Sequence, residues 1–186
     1  MALRFARELE RLAIPYLLGG SLASATHGEP RATLDADFAV HMTASQAAQL
    51  ASALETDFYV DREALVEAAT LKRPANVMHK RPFVKVDVHV RHAEGHSREE
   101  MQRAVRVLVG ASAQDVLRIS TAEDTVLQKL HWYRMGEEVS DRQWRDILGV
   151  LKRNGRKLDH AYMQRWAREL GVLDLLERAI AQATFE

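Results

Sequence analysis

Apolar and polar positions alternate most cleanly over Phe83–Val90. Val84, Val86, Val88 and Val90 fall on one side, and Lys85, Asp87 and His89 on the other, which predicts a β-strand. The run Ile14-Pro15-Tyr16-Leu17-Leu18 is short and continuously apolar and reads as a buried strand that Gly19-Gly20-Ser21 breaks, with a short helix opening over Leu22–Thr26. Leu34–Val40 is a further strand, and Val105–Val109 and Val116–Ile119 are shorter ones. Helical spacing appears at Ala2–Leu12, with Leu3, Phe5, Leu9 and Leu12 as its apolar side. It returns at Thr43–Leu54, where Thr43 is an N-cap with Gln46 three residues on, and at Asp61–Thr70. After Ser120 the strand signal stops. Ala122–Met135 follows a cap at Ser120 or Thr121, Asp141–Asn154 carries a stripe of Trp144, Ile147, Leu148 and Leu151, and Gly171 separates Asp159–Leu170 from Val172–Ala183. The pattern predicts an α/β (α+β) half over residues 1–120 and a helical region over 121–186. No Pro/Gly-rich linker divides them, so they are expected to pack as one unit.

Composition narrows the class. The chain has 186 residues, 47% of them hydrophobic and 28% charged, which is the make-up of an ordinary globular protein. Lys and Arg number 26, as do Asp and Glu, so net charge gives no drive toward nucleic acid or an anionic membrane. There is no cysteine, which excludes disulfides, thiolate zinc sites and a cysteine nucleophile. The first twelve residues lack the apolar core of a signal peptide, and no apolar run approaches the roughly 20 residues that span a bilayer. A cytoplasmic protein with no membrane partner is expected.

The candidate chemistry begins with two carboxylates. Strand alternation puts Asp35 and Asp37 on one face, while Leu34, Ala36, Phe38 and Val40 point the other way. Like charges side by side on a half-buried strand repel one another and cost desolvation, and a divalent cation offsets both. Oxygen ligands at this spacing suit Mg2+ or Mn2+. Asp87 repeats the pattern on its own strand, and if that strand lies beside the first, three carboxylates suffice for two-metal phosphoryl transfer. Alternatively, Lys85, Asp87 and His89 form the polar side of an edge strand. A strand that ends in Gly19-Gly20-Ser21 and enters a helix lets backbone N–H groups approach a phosphate, with the Ser21 hydroxyl as a further donor.

A Gly-Ser pair, a spacer, Asp-x-Asp and a later Asp on its own strand together resemble the signature of the polymerase-β-type nucleotidyltransferase superfamily. The string Gly28-Glu29-Pro30-Arg31-Ala32-Thr33-Leu34-Asp35-Ala36-Asp37 is similar to the Arg-x-Thr-x-Asp-x-Asp form of the branch that holds AbiEii-type and MenT-type toxin nucleotidyltransferases and stand-alone relatives. Glu123–Leu130 and Arg142–Ile147 resemble that branch's downstream motifs. The resemblance implies a nucleotidyltransferase-like mixed sheet flanked by helices, followed by a C-terminal helical bundle. It implies an enzyme that moves a nucleoside monophosphate from an NTP to an RNA, protein or small-molecule acceptor. Asp35, Asp37 and Asp87 would hold metal, and Asp87 would help activate the acceptor hydroxyl. Gly19, Gly20 and Ser21 would bind the triphosphate, Lys129 would contact its phosphates, and Asp146 would support the site. A tRNA or protein acceptor and a cognate antitoxin or toxin chain follow from the same resemblance. The alternative is a non-catalytic nucleotide-binding or antitoxin-like module.

Other residues keep plainer readings open. Arg31 contacts phosphate, contacts the acidic pair, or caps a loop. Lys129 is otherwise a surface lysine, and Asp146 otherwise pairs with Arg142 one turn away. His89, His92 and His96 match no zinc spacing. Trp132, Trp144 and Trp166 read as core residues. His27, in the spacer, has no assigned role.

Overall fold

The computed structural model describes residues 1–29 and 35–183. The chain forms two compact units. One comprises Met1–Gly19 and Thr33–Ile119, the other Gly20–Ala32 and Ser120–Glu186. Among the described residues there are seven strands in one mixed sheet and nine α-helices, which is the α/β architecture the hydrophobic pattern predicts.

The first unit holds the sheet. Its strands are β1 (Tyr16–Leu18), β2 (Ala36–Val40), β3 (Phe58–Tyr59), β4 (Pro74–Lys80), β5 (Phe83–Val90), β6 (Val105–Leu108) and β7 (Val116–Ile119), in the order β3-β4-β5-β2-β1-β7-β6. Pairing is parallel for β2 with β5 and for β1 with β7, and antiparallel elsewhere. The helices of this unit are α1 (Ala2–Arg11), α3 (Ala44–Leu54), α4 (Arg62–Leu71) and α5 (Gly95–Arg103). Thr43 caps α3 in the expected capping box with Gln46, and Asp61 caps α4. One face of the sheet is apolar. Phe38, Val86 and Val88 are fully buried, and the ring of Phe5 of α1 meets that of Phe38 tilted at 4.8 Å and that of Phe58 edge-on at 5.9 Å between centroids. On the other face Met101 of α5 packs with Leu17 and Ala39.

Three elements here escape the periodicity reading. The strands β3 and β4 lack alternation of their own, and Val77 is the one fully buried residue of β4. What makes β4 a strand is pairing with β5 along its length, from Pro74 opposite His89 to Lys80 opposite Phe83. Helix α5 has no apolar stripe. It is held by polar anchors: Arg91 Nη1 donates to the buried Glu100 Oε2 at 2.6 Å, and Arg118 Nη2 donates to the Met101 carbonyl at 2.7 Å.

The second unit is helical. It contains α2 (Gly20–His27), α6 (Ala122–Met135), α7 (Asp141–Asn154), α8 (His160–Glu169) and α9 (Leu173–Gln182), with a 3-10 turn at Gly155–Lys157. Val126, Leu127, Leu130, Ile147, Leu151 and Met163 centre its core. Thr121 caps α6, and the carboxylate of Asp124 is buried, accepting from Thr121 Oγ1 at 2.8 Å and Tyr162 Oη at 2.5 Å. Trp166 is buried and Trp144 packs on the core, but Trp132 is 40% exposed, so the core reading fails for that tryptophan. Helix α2 abuts α7 so closely that a Cβ on Gly28 would come within 2.9 Å of the Ser24 carbonyl and 3.0 Å of the Val150 nitrogen. His27 finds its role here. Its Nε2 shares a 2.7 Å hydrogen bond with the Ser120 carbonyl, and its own carbonyl accepts from Asn154 Nδ2 at 2.8 Å. No described helix is long and apolar enough to cross a membrane.

Phe38 joins Phe5 and Tyr16 at the centre of the sheet unit. Phe38→Ala is expected to cost about 3–5 kcal/mol in urea unfolding, and a loss under about 1 kcal/mol would show that this cluster does not carry the unit's stability. A second expectation concerns pH. Burial, and after it the charges of Arg91 and Lys72, hold His41 below the ordinary imidazole value. A group with a lowered folded pKa binds fewer protons when folded, so its contribution is present above about pH 6.5 and lost as pH falls toward the folded value. Urea midpoints taken on either side of that window should drop on acidification, and drop less in His41→Gln.

Candidate active site

The carboxylate face is built by one pairing. In the β2–β5 register Ala36 lies beside Val86, Asp37 beside Asp87 and Ala39 beside His89. Parallel neighbours in register point to the same side of a sheet, so the hydrophobic alternation of both strands buries Ala36, Phe38, Val86 and Val88 and turns Asp37 and Asp87 to the other face together. Strand β5 lies inside the sheet between β4 and β2, which rules out the edge-strand reading of Lys85, Asp87 and His89. Asp35 is exposed and sits one residue ahead of β2. Leu34 and Arg31 lie outside the described residues.

Two basic side chains of β5 face these carboxylates. Lys85 Nζ lies 2.8 Å from Asp87 Oδ2, and His89 Nε2 lies 3.8 Å from Asp37 Oδ1. The hydrogen bond to Asp87 is the main cause that raises the Lys85 ammonium above the usual lysine range. The charges of Asp87, Asp35 and Asp37 add to it, and burial opposes it. One ammonium therefore feels all three carboxylates. Asn76 lies opposite Asp87 in the β4–β5 register, and its side-chain amide, turned nitrogen-first as its hydrogen bonding requires, donates to Asp87 Oδ1. Lys85 and Asn76 were not singled out from sequence. The parity of Phe83–Val90 does place Lys85 beside Asp87, whereas nothing local marks Asn76.

The donor chemistry suits a hard divalent cation: two carboxylates on adjacent strands, with Asp35 one residue ahead of β2, and an ammonium already paired with one of them. Among the described residues no three His, Asp or Glu side chains are yet gathered around one point. Asp87 is turned to Lys85 and Asn76 instead.

The glycine segment begins at the end of β1. The Gly19 N–H donates to the Asp37 carbonyl at 2.9 Å, which ties that turn to the acidic strand, and the space around Gly19 is open. Gly20 has φ 55°, a left-handed conformation that glycine adopts without a Cβ clash, and it opens α2. Ser21 follows in the first turn of α2, where helix N–H groups have no partner within the helix. Within the helical unit, Lys129 Nζ donates to Asp146 Oδ2 at 2.8 Å, with 11% and 15% of the two side chains exposed. Lys129 is thus buried rather than a surface lysine, and its partner ties Asp146 to α6 rather than only to its own helix.

No protein-family profile matches the chain, and no curated protein sequence matches it. Solved structures do resemble it. An antigenic nucleotidyltransferase-like protein from Paracoccidioides brasiliensis superposes with a TM-score of 0.53 at 16% identity, over 99% of this chain and 91% of that one. The antibiotic-resistance factor ANT(2'')-Ia matches in its solution structure with a TM-score of 0.53 at 10% identity, over 95% of this chain and 96% of that one. Its crystal structure in complex with adenylyl-2''-tobramycin matches with a TM-score of 0.51 at 12% identity, over 95% and 94%. At these identities the likeness establishes the fold: this chain has the fold of the nucleotidyltransferases.

The Lys129–Asp146 pair gives a test of its structural worth. Removing one partner of a buried ion pair typically costs about 3–5 kcal/mol, whereas replacing both by apolar residues costs far less. Lys129→Met alone is expected to lower stability more than the double variant Lys129→Met with Asp146→Leu. A double-mutant cycle in urea with additive losses would show that the pair is uncoupled.

Proposed function

We propose that this protein is a nucleotidyltransferase that moves a nucleoside monophosphate from an NTP to an acceptor hydroxyl and releases pyrophosphate. The observation that carries this reading is the in-register placement of Asp37 beside Asp87, with Asp35 just ahead of Asp37 in the chain and the Lys85 ammonium 2.8 Å from Asp87. A purely structural sheet gains nothing from two adjacent carboxylates on one face. A phosphoryl-transfer site needs them.

In this reading Asp35, Asp37 and Asp87 hold Mg2+ or Mn2+. When bound, the ion neutralises charge on the phosphates and lines up the attacking and leaving oxygens. Asp87 also accepts the proton of the acceptor hydroxyl. Asn76 holds Asp87 Oδ1 and so fixes which oxygen faces the substrate. Gly19, Gly20 and Ser21 supply backbone and hydroxyl donors to the triphosphate, helped by the positive end of α2. Lys129, held by Asp146, is assigned to nucleotide phosphates on the sequence resemblance. So is Arg31.

The acceptor is an RNA end, a protein side chain or a small molecule. The adenylylated tobramycin bound by ANT(2'')-Ia supports the last of these, as an acceptor class that this fold accommodates. The toxin-like sequence string supports a tRNA or protein acceptor and a toxin–antitoxin partnership in the cytoplasm.

Incubation with each α-labelled NTP, Mg2+ or Mn2+, and separate pools of tRNA, protein and tobramycin checks the reading. Label should pass to one pool, and Asp37→Asn should lower transfer by at least about 100-fold. Nucleotide binding without transfer to any pool would instead assign a binding module. Unchanged metal and nucleotide affinity in both Asp35→Asn and Asp37→Asn would remove the carboxylates from the site.

A further inference from the structure

We propose that Lys85 is a built-in counter-ion that competes with the divalent cation for Asp87, so that lysine and metal exchange places on that carboxylate when the site is loaded. The inference rests on the nucleotidyltransferase reading of Asp35, Asp37 and Asp87 and concerns a residue which that reading leaves without a role.

The geometry is specific. Both oxygens of Asp87 are engaged by the protein, Oδ2 by Lys85 Nζ at 2.8 Å and Oδ1 by the Asn76 amide. Each oxygen keeps a further lone pair, but an ammonium 2.8 Å from Oδ2 opposes a second cation there by charge repulsion and by the space it fills, so a cation gains most if that partner withdraws. Asn76 is held in β4, where its neighbours pair with β5, and its short side chain has little reach. Lys85 is also in a paired strand and differs in reach. It stands two residues before Asp87 on the same face, its side chain is 41% exposed, and its four-carbon stem rotates freely. It also lines an open cavity of about 650 Å³ with Tyr59, Asp61, Asn76 and Met78. That cavity gives the ammonium somewhere to go, and the Asp61 carboxylate on its wall gives it a second anion to face. The lysine is therefore the partner able to leave.

The exchange accounts for Asp87 being turned to Lys85 although Asp37 lies beside it on the same face. Without a cation, Lys85 relieves the repulsion between Asp37 and Asp87 by pairing with one of them. With a cation, a +2 charge replaces +1 at the same place, and the freed ammonium becomes available to an anionic substrate. Lys85 is thus a positioning residue that sets how readily the site accepts metal.

The test is calorimetric titration of the full-length protein with Mn2+ alone, without nucleotide. Lys85→Met should bind Mn2+ about tenfold more tightly than the wild type, because a competing charge is gone, and Lys85→Arg, which keeps the charge, should not. Lys85→Gln gives the same comparison should the methionine variant fold poorly, with folding followed by circular dichroism. Mn2+ affinity in Lys85→Met and Lys85→Gln that is equal to or weaker than wild type overturns the proposal. Asp37→Asn separates the two levels of the argument. If it abolishes Mn2+ binding while the Lys85 variants bind like wild type, the counter-ion role fails and the metal site stands. If Mn2+ binds no variant, or binds Asp37→Asn as it binds wild type, the carboxylate site itself is wrong and the Lys85 role falls with it.

Discussion

The parallel pairing of β2 with β5 is the constraint on which the site depends. It sets Asp37 beside Asp87. Neighbouring strands lie about 4.8 Å apart, and two carboxylates near that separation repel by about 3 kcal/mol at an effective dielectric of 20. The sheet accepts this because the same register buries Phe38, Val86 and Val88 on its other side. Shifting either strand by one residue would part the carboxylates, and it would also drive the apolar set into water. Hydrophobic burial thus holds together two charges that would otherwise separate. The neighbouring cation follows from it: Lys85 shares the parity of Asp87, so the strand that brings the repulsion also brings its relief.

The two faces of the sheet unit are secured by different physics. The buried side is an aromatic and aliphatic core centred on Phe5, Phe38 and Phe58. The side that carries the carboxylates is covered at one end by α5, whose sequence offers Met101 and little else to an apolar contact. Polar anchors take over there, with the buried Glu100 accepting from Arg91 and the Met101 carbonyl from Arg118. An ion pair with one fully buried carboxylate is costly to desolvate and unforgiving in geometry, so it places a helix more specifically than it stabilises it. The face is left polar beside Asp37 and Asp87.

The helical unit shows the same preference for buried polar contacts. Asp124 is enclosed by Thr121 and Tyr162, and Lys129 by Asp146. The carbonyls of His27 and Gly28, at and just past the end of α2, accept from Asn154 and Arg153 of α7, so the helix opened by Gly20 and Ser21 is fixed at its far end by hydrogen bonds and by the close approach at Gly28. A helix of eight residues is too short to be stable alone. Its orientation comes from these contacts.

Local periodicity was enough for much of this. The alternation of Phe83–Val90 determined which side chains share a face. The caps at Thr43 and Thr121 and the stripe of α7 appear where the pattern put them. The Asp-x-Asp pair, Asp87 and the Gly-Gly-Ser turn were legible because two-residue parity and glycine's conformational freedom are properties of a few adjacent residues. Other features had no local mark. β4 is a strand through its partner, α5 is anchored by an ion pair to Arg91, and α2 belongs with the C-terminal helices although it follows β1 in the chain. Asn76 and Lys85 gained their meaning only when β4 and β5 closed on each other. The sequence by itself determined which side chains share a face where the alternation is clear, as in Phe83–Val90, because that depends on the backbone's own repeat. Only the tertiary structure decided which faces meet and in what register, because hydrogen-bonded pairing between segments distant in the chain is set by the burial of the whole sheet.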